Sequence, residues 1–143
     1  MTDSSDGLTS FIVHPCYYEI VMHDDSRRAV DSWMRRIEAI WTLHIQTRQP
    51  IPVLTVHPHE GAVPLNYAFV EGLKLARRFR DLPPGRSAFL ETRNFMTQML
   101  DSFLRAMRLS AIEYYHASPH KRAEAVAWLS ELGARLREDD SSG

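Results

Sequence analysis

The chain has 143 residues, of which 44% are hydrophobic and 24% charged, a composition typical of one soluble globular domain. Its net charge of −1 excludes a general attraction to nucleic acid or anionic lipid. A single cysteine, Cys16, excludes an internal disulfide and any cysteine-based metal cluster. No apolar run approaches the roughly 20 residues of a membrane span. We expect a cytoplasmic protein with one domain over residues 8–137, between flexible ends at Met1–Gly7 and Glu138–Gly143.

The first elements are a hairpin and a helix. Ser10–His14 and Tyr17–Met22 are rich in aromatic and β-branched residues and flank a short loop, which predicts two antiparallel strands. His23–Ser26 supplies candidate N-caps for the helix that follows, which ends before Pro50. Its apolar face recurs at spacings of three and four residues. The members of that face are Val30, Trp33, Ile37, Ile40, Trp41 and His44.

The middle of the chain predicts a buried strand and a second helix. Ile51–Val56 is almost entirely apolar, as in a strand covered on both faces. His57–Val63 is a loop, Pro64 begins the next helix, and Pro83–Gly85 ends it. The predicted buried stripe of that helix comprises Leu65, Ala68, Phe69, Gly72, Ala76 and Phe79.

The last third predicts two more strand–helix pairs. Arg86–Glu91 reads as a strand, and Thr92 can cap a helix that carries apolar residues from Phe95 to Met107. Ser110–Tyr115 reads as another strand, and Ser118 with Pro119 begins a final helix. The predicted stripe of the final helix comprises Ala123, Val126, Ala127, Leu129, Leu132 and Leu136. Strand–helix alternation implies parallel pairing, so we predict an α/β fold with a five-stranded mixed sheet and four helices in the order β-β-α-β-α-β-α-β-α.

This order resembles the STAS-like proteins, the relatives of anti-sigma-factor antagonists. The resemblance is carried by Ile51–Val56, Pro84–Leu90 and Ala123–Leu129, and it covers about Ser10–Leu132. It implies a bacterial regulator that is not an enzyme and is switched by phosphorylation of a Ser or Thr in the loop after the central strand. That loop, His57–Pro64, contains neither residue, which leaves a binding role without the usual switch.

The same loop holds the strongest candidate site. His57, His59, Glu60 and Gly61 follow the central strand, and ligands of open α/β sheets bind at the carboxyl ends of strands. Imidazole and carboxylate groups suit Zn²⁺ or acid–base chemistry, but a His-x-His pair is short and common. An ordinary polar loop is the alternative. Three further histidines could approach only if the fold brings them there: His14, His23 and His116.

We predict a module that binds a protein partner through His57, His59, Glu60 and Gly61, with no cofactor, metal or catalytic residue. The partner could be a second copy of the chain. One alternative is a carrier of a small apolar ligand or lipid; another is a metal-assisted enzyme that uses His57, His59 and Glu60. Several arginines around the Pro-Pro-Gly turn could bind phosphate or an acidic partner, although a solvated helix end is the simpler interpretation. These are Arg77, Arg78, Arg80, Arg86 and Arg93.

Overall fold

The computed structural model describes residues 1–57, 64–92 and 112–142, with side chains described as far as residue 132. The strands are β1 (Ser4–Ser5), β2 (Thr9–Val13), β3 (Tyr18–Met22), β4 (Ile51–His57), β5 (Gly85–Glu91) and β6 (Ile112–Ala117). The α-helices are α1 (Arg27–Thr47), α2 (Leu65–Arg78) and α3 (Arg122–Ser142), and a short 3-10 helix, Pro119–Lys121, precedes α3.

The predicted α/β class with a mixed sheet is confirmed, but the predicted counts are not. In the described ranges the sheet has six strands, because Ser4–Ser5 pairs with β2; the short polar sequence there gave no strand signal. Three α-helices occur in the described ranges. The helix predicted from Thr92 through Phe95 and Met107 falls in a part of the chain outside those ranges. The flexibility predicted for Met1–Gly7 and Glu138–Gly143, and the domain over residues 8–137, stay predictions.

Strands follow one another across the sheet in chain order, from β1 to β6. The first two pairs, β1 with β2 and β2 with β3, are antiparallel, and the pairs from β3 to β6 are parallel. Each parallel pair needs a long crossover, which α1 supplies between β3 and β4 and α2 supplies between β4 and β5. The carboxyl ends of β4, β5 and β6 therefore share one edge of the sheet.

Helices α1 and α2 cover one sheet face, which we call the two-helix face. Ser26 caps α1 as predicted, because its side chain accepts a hydrogen bond from Ala29 N at 3.2 Å. The predicted apolar face of α1 is confirmed, and Trp33 and Trp41 are both buried in it. Helix α2 ends at Arg78, earlier than predicted, because Phe79 leaves the helical conformation and packs edge-on against Trp41.

The opposite face carries α3, and we call it the α3 face. Its core combines alternate strand residues with two helix residues, and its members are Leu54, Ala88, Leu90, Ala117, Ala125 and Leu129. Leu129 is buried as predicted, but Ala123 and Ala127 are exposed and Ala125 is buried instead. The buried face of the helix therefore differs from the predicted one, and the helix starts at Arg122, after the 3-10 turn at Pro119–Lys121.

The segment before β2 is held by one carboxylate. Asp6 accepts hydrogen bonds from the backbone N–H groups of Leu8 and Thr9 at 2.9 and 2.8 Å, and from Ser32 Oγ of α1 at 2.5 Å. Partial burial alone raises the pKa of Asp6, but these hydrogen bonds lower the pKa to about 2. The loop between β1 and β2 is therefore tied to α1. None of the helices in the described ranges is both long and apolar enough to cross a membrane.

Gly85 begins β5 at a point of close approach between strands. A Cβ atom there would lie 3.0 Å from the backbone oxygen of Ile51 and 3.4 Å from Cγ1 of Ile112. We expect Gly85→Ala to lower the free energy of unfolding by about 1 to 3 kcal/mol, because the backbone of β4 would have to move. Urea denaturation followed by circular dichroism measures the loss. A change below about 0.5 kcal/mol would show that the backbone of β4 can shift to accommodate the added methyl group without a measurable loss of stability.

Candidate functional site

Three polar side chains meet at the carboxyl edge of the parallel strands. His57 ends β4, Glu91 ends β5, and His116 is the penultimate residue of β6. We call these three the edge row. Side chains alternate between the two faces of a strand, so the neighbours of each residue assign its face. The core of the two-helix face includes Val53, Phe89 and Tyr114. Each of them is an even number of residues before the edge-row residue of its own strand, so the edge row points to the two-helix face.

Two of the three edge-row side chains are buried. His57 and Glu91 are register partners in β4 and β5, and each is only 3% exposed. Nε2 of His116 lies 3.3 Å from Oε1 of Glu91, and the His116 side chain is 29% exposed. A buried carboxylate is thus placed next to an imidazole that solvent can reach. Such a carboxylate can accept a hydrogen bond from the ring and so fix its orientation.

The chain leaves this edge in two opposite directions. After β4 it passes to α2 on the two-helix face, whereas after β6 it passes through the 3-10 helix to α3 on the other face. Ligands of open α/β sheets bind outside the carboxyl ends of the strands. The edge row, between β4 and β6, occupies this position.

Chemically, the edge row offers a hydrogen-bonding group to solvent through His116. His116 can donate or accept a hydrogen bond, and Glu91 can compensate a positive charge on its ring. In the described ranges, no group of three or more His, Cys, Asp or Glu side chains is positioned to hold a metal ion. Two of the three ligands in the predicted metal-assisted site, His59 and Glu60, are outside those ranges.

The structure brings together only part of the predicted cluster. His57 lies in the edge row, while His59, Glu60 and Gly61 belong to the loop outside the described residues. Of His14, His23 and His116, all of which the structure describes, His116 joins His57 at the same edge. His23 instead bonds to Ser10 Oγ at 2.6 Å.

His14 belongs to a second polar cluster, on the α3 face. Its Nε2 lies 2.8 Å from Oε1 of Glu19, a residue of β3 that is 4% exposed. Arg122, the first residue of α3, binds both carboxylate oxygens of Glu19, with 3.0 Å from Nη1 to Oε2. Burial raises the pKa of Glu19, but the hydrogen bonds and charges of Arg122 and His14 outweigh burial and hold that pKa below its ordinary value. This cluster fastens α3 to the sheet.

The arginines around the Pro-Pro-Gly turn do not form one anion site. Arg86 is buried on the α3 face, where Nη1 donates to the backbone oxygen of Trp128 at 2.7 Å and to Glu131 at 2.9 Å. Arg78, on the other face, pairs with Glu38 of α1 at 2.9 Å. Arg77 and Arg80 are exposed, as the simpler interpretation expects, and Arg93 lies outside the described residues.

A surface groove of about 470 Å³ runs between α1 and α2. Met34 and Leu75 contribute apolar surface, and the other lining residues are charged. Two of the carboxylates are ion-paired across or along the groove, since Glu38 binds Arg78 and Glu71 binds Lys74 at 3.0 Å. A charged lining of this kind does not suit an apolar ligand or lipid, so the groove gives no support to the carrier alternative.

Sequence reasoning missed Glu91 as a site residue and left His116 undecided. A signal for both was present, because the predicted strands Arg86–Glu91 and Ser110–Tyr115 place Glu91 at a strand end and His116 directly after one. Knowing that both lie beside His57 requires the strand order and register, which local patterns do not supply. Comparison of the chain with protein-family models, with curated proteins and with solved structures finds no match.

Proposed function

We propose that the chain is a cytoplasmic STAS-like regulatory module that acts by binding a protein partner, without catalysis, at the carboxyl edge of β4, β5 and β6. The edge row supports this function most directly, because it places polar groups where the chain connections diverge. The predicted contact loop, with His59, Glu60 and Gly61, leaves the sheet directly from His57. One partner could therefore contact the loop and His116 together.

The sequence of the loop shapes the proposal. Residues 57–64 include no Ser or Thr, so the partner would be recognised without phosphorylation of this loop. The exposed part of His116, backed by Glu91, supplies a hydrogen-bonding group for that contact. Because an imidazole ring can donate a hydrogen bond, a partner with acidic or carbonyl groups at the contact fits best.

Site-specific photo-crosslinking in cells tests the location of the contact. A benzophenone amino acid placed at Thr92, which is exposed at the end of β5, should form a covalent adduct with the partner. The matched control is the same amino acid at Asp81, whose side chain is 91% exposed and lies before the amino end of β5. We expect adducts from Thr92 only, and His116→Ala should weaken them by about tenfold, as loss of a central contact does.

Each other outcome would contradict the proposed site. Adducts from both positions in equal amounts would indicate random collision, and adducts from Asp81 alone would move the contact to the opposite edge. The mass of the adduct separates a second copy of this chain from a different protein. No adduct at either position would contradict the binding role itself.

A further inference from the structure

A serine and a histidine meet at the open end of the β2–β3 hairpin. Ser10 is the second residue of β2, and His23 directly follows the last residue of β3. The hydroxyl oxygen of Ser10, Oγ, lies 2.6 Å from Nε2 of His23. A nucleophile and the base that activates it are spaced by about 2.6 to 3.2 Å. The two side chains therefore have the separation that nucleophilic chemistry needs.

Backbone pairing places the two side chains on the same face of the hairpin. Ser10 and Val21 are register partners in the antiparallel ladder of β2 and β3. His23 is two residues beyond Val21, which makes it a diagonal neighbour of Ser10. The N–H of His23 donates to the carbonyl oxygen of Leu8 at 2.9 Å, so the pairing continues as far as His23. The hairpin thus fixes the positions from which both side chains project.

The Ser10 proton has two oxygen or nitrogen acceptors nearby. Besides Nε2 of His23 at 2.6 Å, Oγ of Ser5 lies 3.3 Å from Oγ of Ser10. The imidazole is the nearer of the two, and a neutral imidazole accepts at the ring nitrogen that carries no proton. With the ring proton on Nδ1, Ser10 donates to Nε2. In that tautomer His23 can take the Ser10 proton while the oxygen attacks an electrophile.

Reagents in solution can reach the pair. His23 is exposed, and Ser10 is half-buried. On the Ser5 side, the N–H of Gly7 donates to Oγ of Ser5 at 3.4 Å. Gly7 adds no bulk there, and even a Cβ atom at this residue would meet no other atom of the described residues within 4 Å. An activated ester can therefore approach the Ser10 oxygen from solvent.

We propose that Ser10 is a nucleophilic serine that accepts an acyl group from an activated acyl donor, a thioester or an aryl ester, with His23 as its general base. Oγ of Ser10 forms a bond to the acyl carbon, and the bond from that carbon to the leaving sulfur or oxygen breaks. The Ser10 proton passes to Nε2 of His23 and then to the leaving group. The product is a serine ester, formed once per chain. This reaction depends on Ser10 and His23 alone, so it stands independently of the function proposed for the carboxyl edge.

Acetylation of the intact chain by p-nitrophenyl acetate, followed by peptide fragmentation in a mass spectrometer, tests the site. Ser10 should acquire an acetyl ester at least about tenfold faster than Ser4, an exposed serine of β1 whose hydroxyl accepts a hydrogen bond from Arg36 instead. Ser10→Ala should remove this ester. His23→Ala should slow its formation by at least about tenfold, the contribution expected of a general base. Ser4→Ala is the matched control and should leave the rate at Ser10 unchanged.

A second measurement separates proton transfer from a merely structural role of His23. Acetylation of Ser10 in the wild type should be slower in deuterium oxide than in water, because the Ser10 proton moves in the same step as the attack. Neither the position of the ring nor its packing would produce this difference. If a variant does not fold, the wild type decides alone, through the isotope effect and the comparison of Ser10 with Ser4 in one chain.

Four results would overturn the proposal. They are equal rates of acetylation at Ser10 and Ser4, acetylation of Cys16 with none on Ser10, an unchanged rate at Ser10 in folded His23→Ala, and equal rates in water and deuterium oxide.

Discussion

Replacing Trp33 by alanine is expected to lower the free energy of unfolding by about 3 to 5 kcal/mol, the usual cost of deleting a buried tryptophan. Trp33 is 7% exposed and lies in the core of the two-helix face. Its indole Nε1 also donates a hydrogen bond to Oγ1 of Thr55 in β4 at 3.0 Å. Alanine would leave a cavity between α1 and the sheet and a buried hydroxyl without its donor.

Two further variants separate the packing from the hydrogen bond. Trp33→Phe keeps most of the apolar volume and loses the donor, so about 1 to 3 kcal/mol should be lost. Val70→Ala, at a position 48% exposed on α2, is the control and should stay within about 0.5 kcal/mol. Urea denaturation followed by circular dichroism is the suitable measurement, because two of the variants lose one of the three indoles that fluorescence would report. A loss below about 1 kcal/mol for Trp33→Ala would show that the core around it refills the space.

Glu19→Gln should lower the free energy of unfolding by about 2 to 3 kcal/mol, a range typical of hydrogen bonds to charged groups. The variant removes the carboxylate that binds both Arg122 and His14. The loss should be smaller than for a fully buried pair, because Arg122 is 43% exposed and can regain water. Asp81→Asn is the matched control: its pair with Arg48 spans 3.5 Å at the surface and should matter by less than about 1 kcal/mol.

The Glu19 prediction has a defined pH dependence. The pKa of Glu19 is lower in the folded protein than its ordinary value of 4.5, because Arg122 and His14 outweigh the effect of burial. The stabilisation is therefore fully present above the unfolded pKa and is lost as the pH falls through the folded pKa. Wild type and Glu19→Gln should differ most near pH 7 and converge below pH about 4. A difference that stays constant down to pH about 3 would assign the loss to packing instead.

Local patterns in the sequence predicted the elements that the core determines. Helix α1 follows from apolar spacing, and Ser26 from the preference of helix starts for a side-chain oxygen. Strand β4 follows from a continuous apolar run, which is what a strand buried on both faces requires. In these segments the apolar side chains whose pattern predicts the helix or strand are the same side chains that are buried in the core.

Contacts between distant segments could not be predicted in this way. Glu91 and His116 converge only through the register of β4, β5 and β6, and a shift of one residue would place either of them on the other face. Arg86 was interpreted as a surface charge because its partners, Trp128 and Glu131, lie in a helix far along the chain. The two-residue strand β1 is held by pairing and not by apolar burial, so no pattern marked it.

The ion pair between Glu19 and Arg122 also affects the order in which contacts form during folding. Neighbouring parallel strands are joined by connections of about 20 to 30 residues, whose closure costs less entropy than that of a longer loop. This ion pair joins residues 103 positions apart, and it forms only when β3 and the start of α3 have reached their native positions. It is therefore expected to form after the rate-limiting step, so that Glu19→Gln would speed unfolding and leave the refolding rate nearly unchanged. The Glu19 carboxylate would then determine how long the native state persists before it unfolds, and would have little influence on the folding rate.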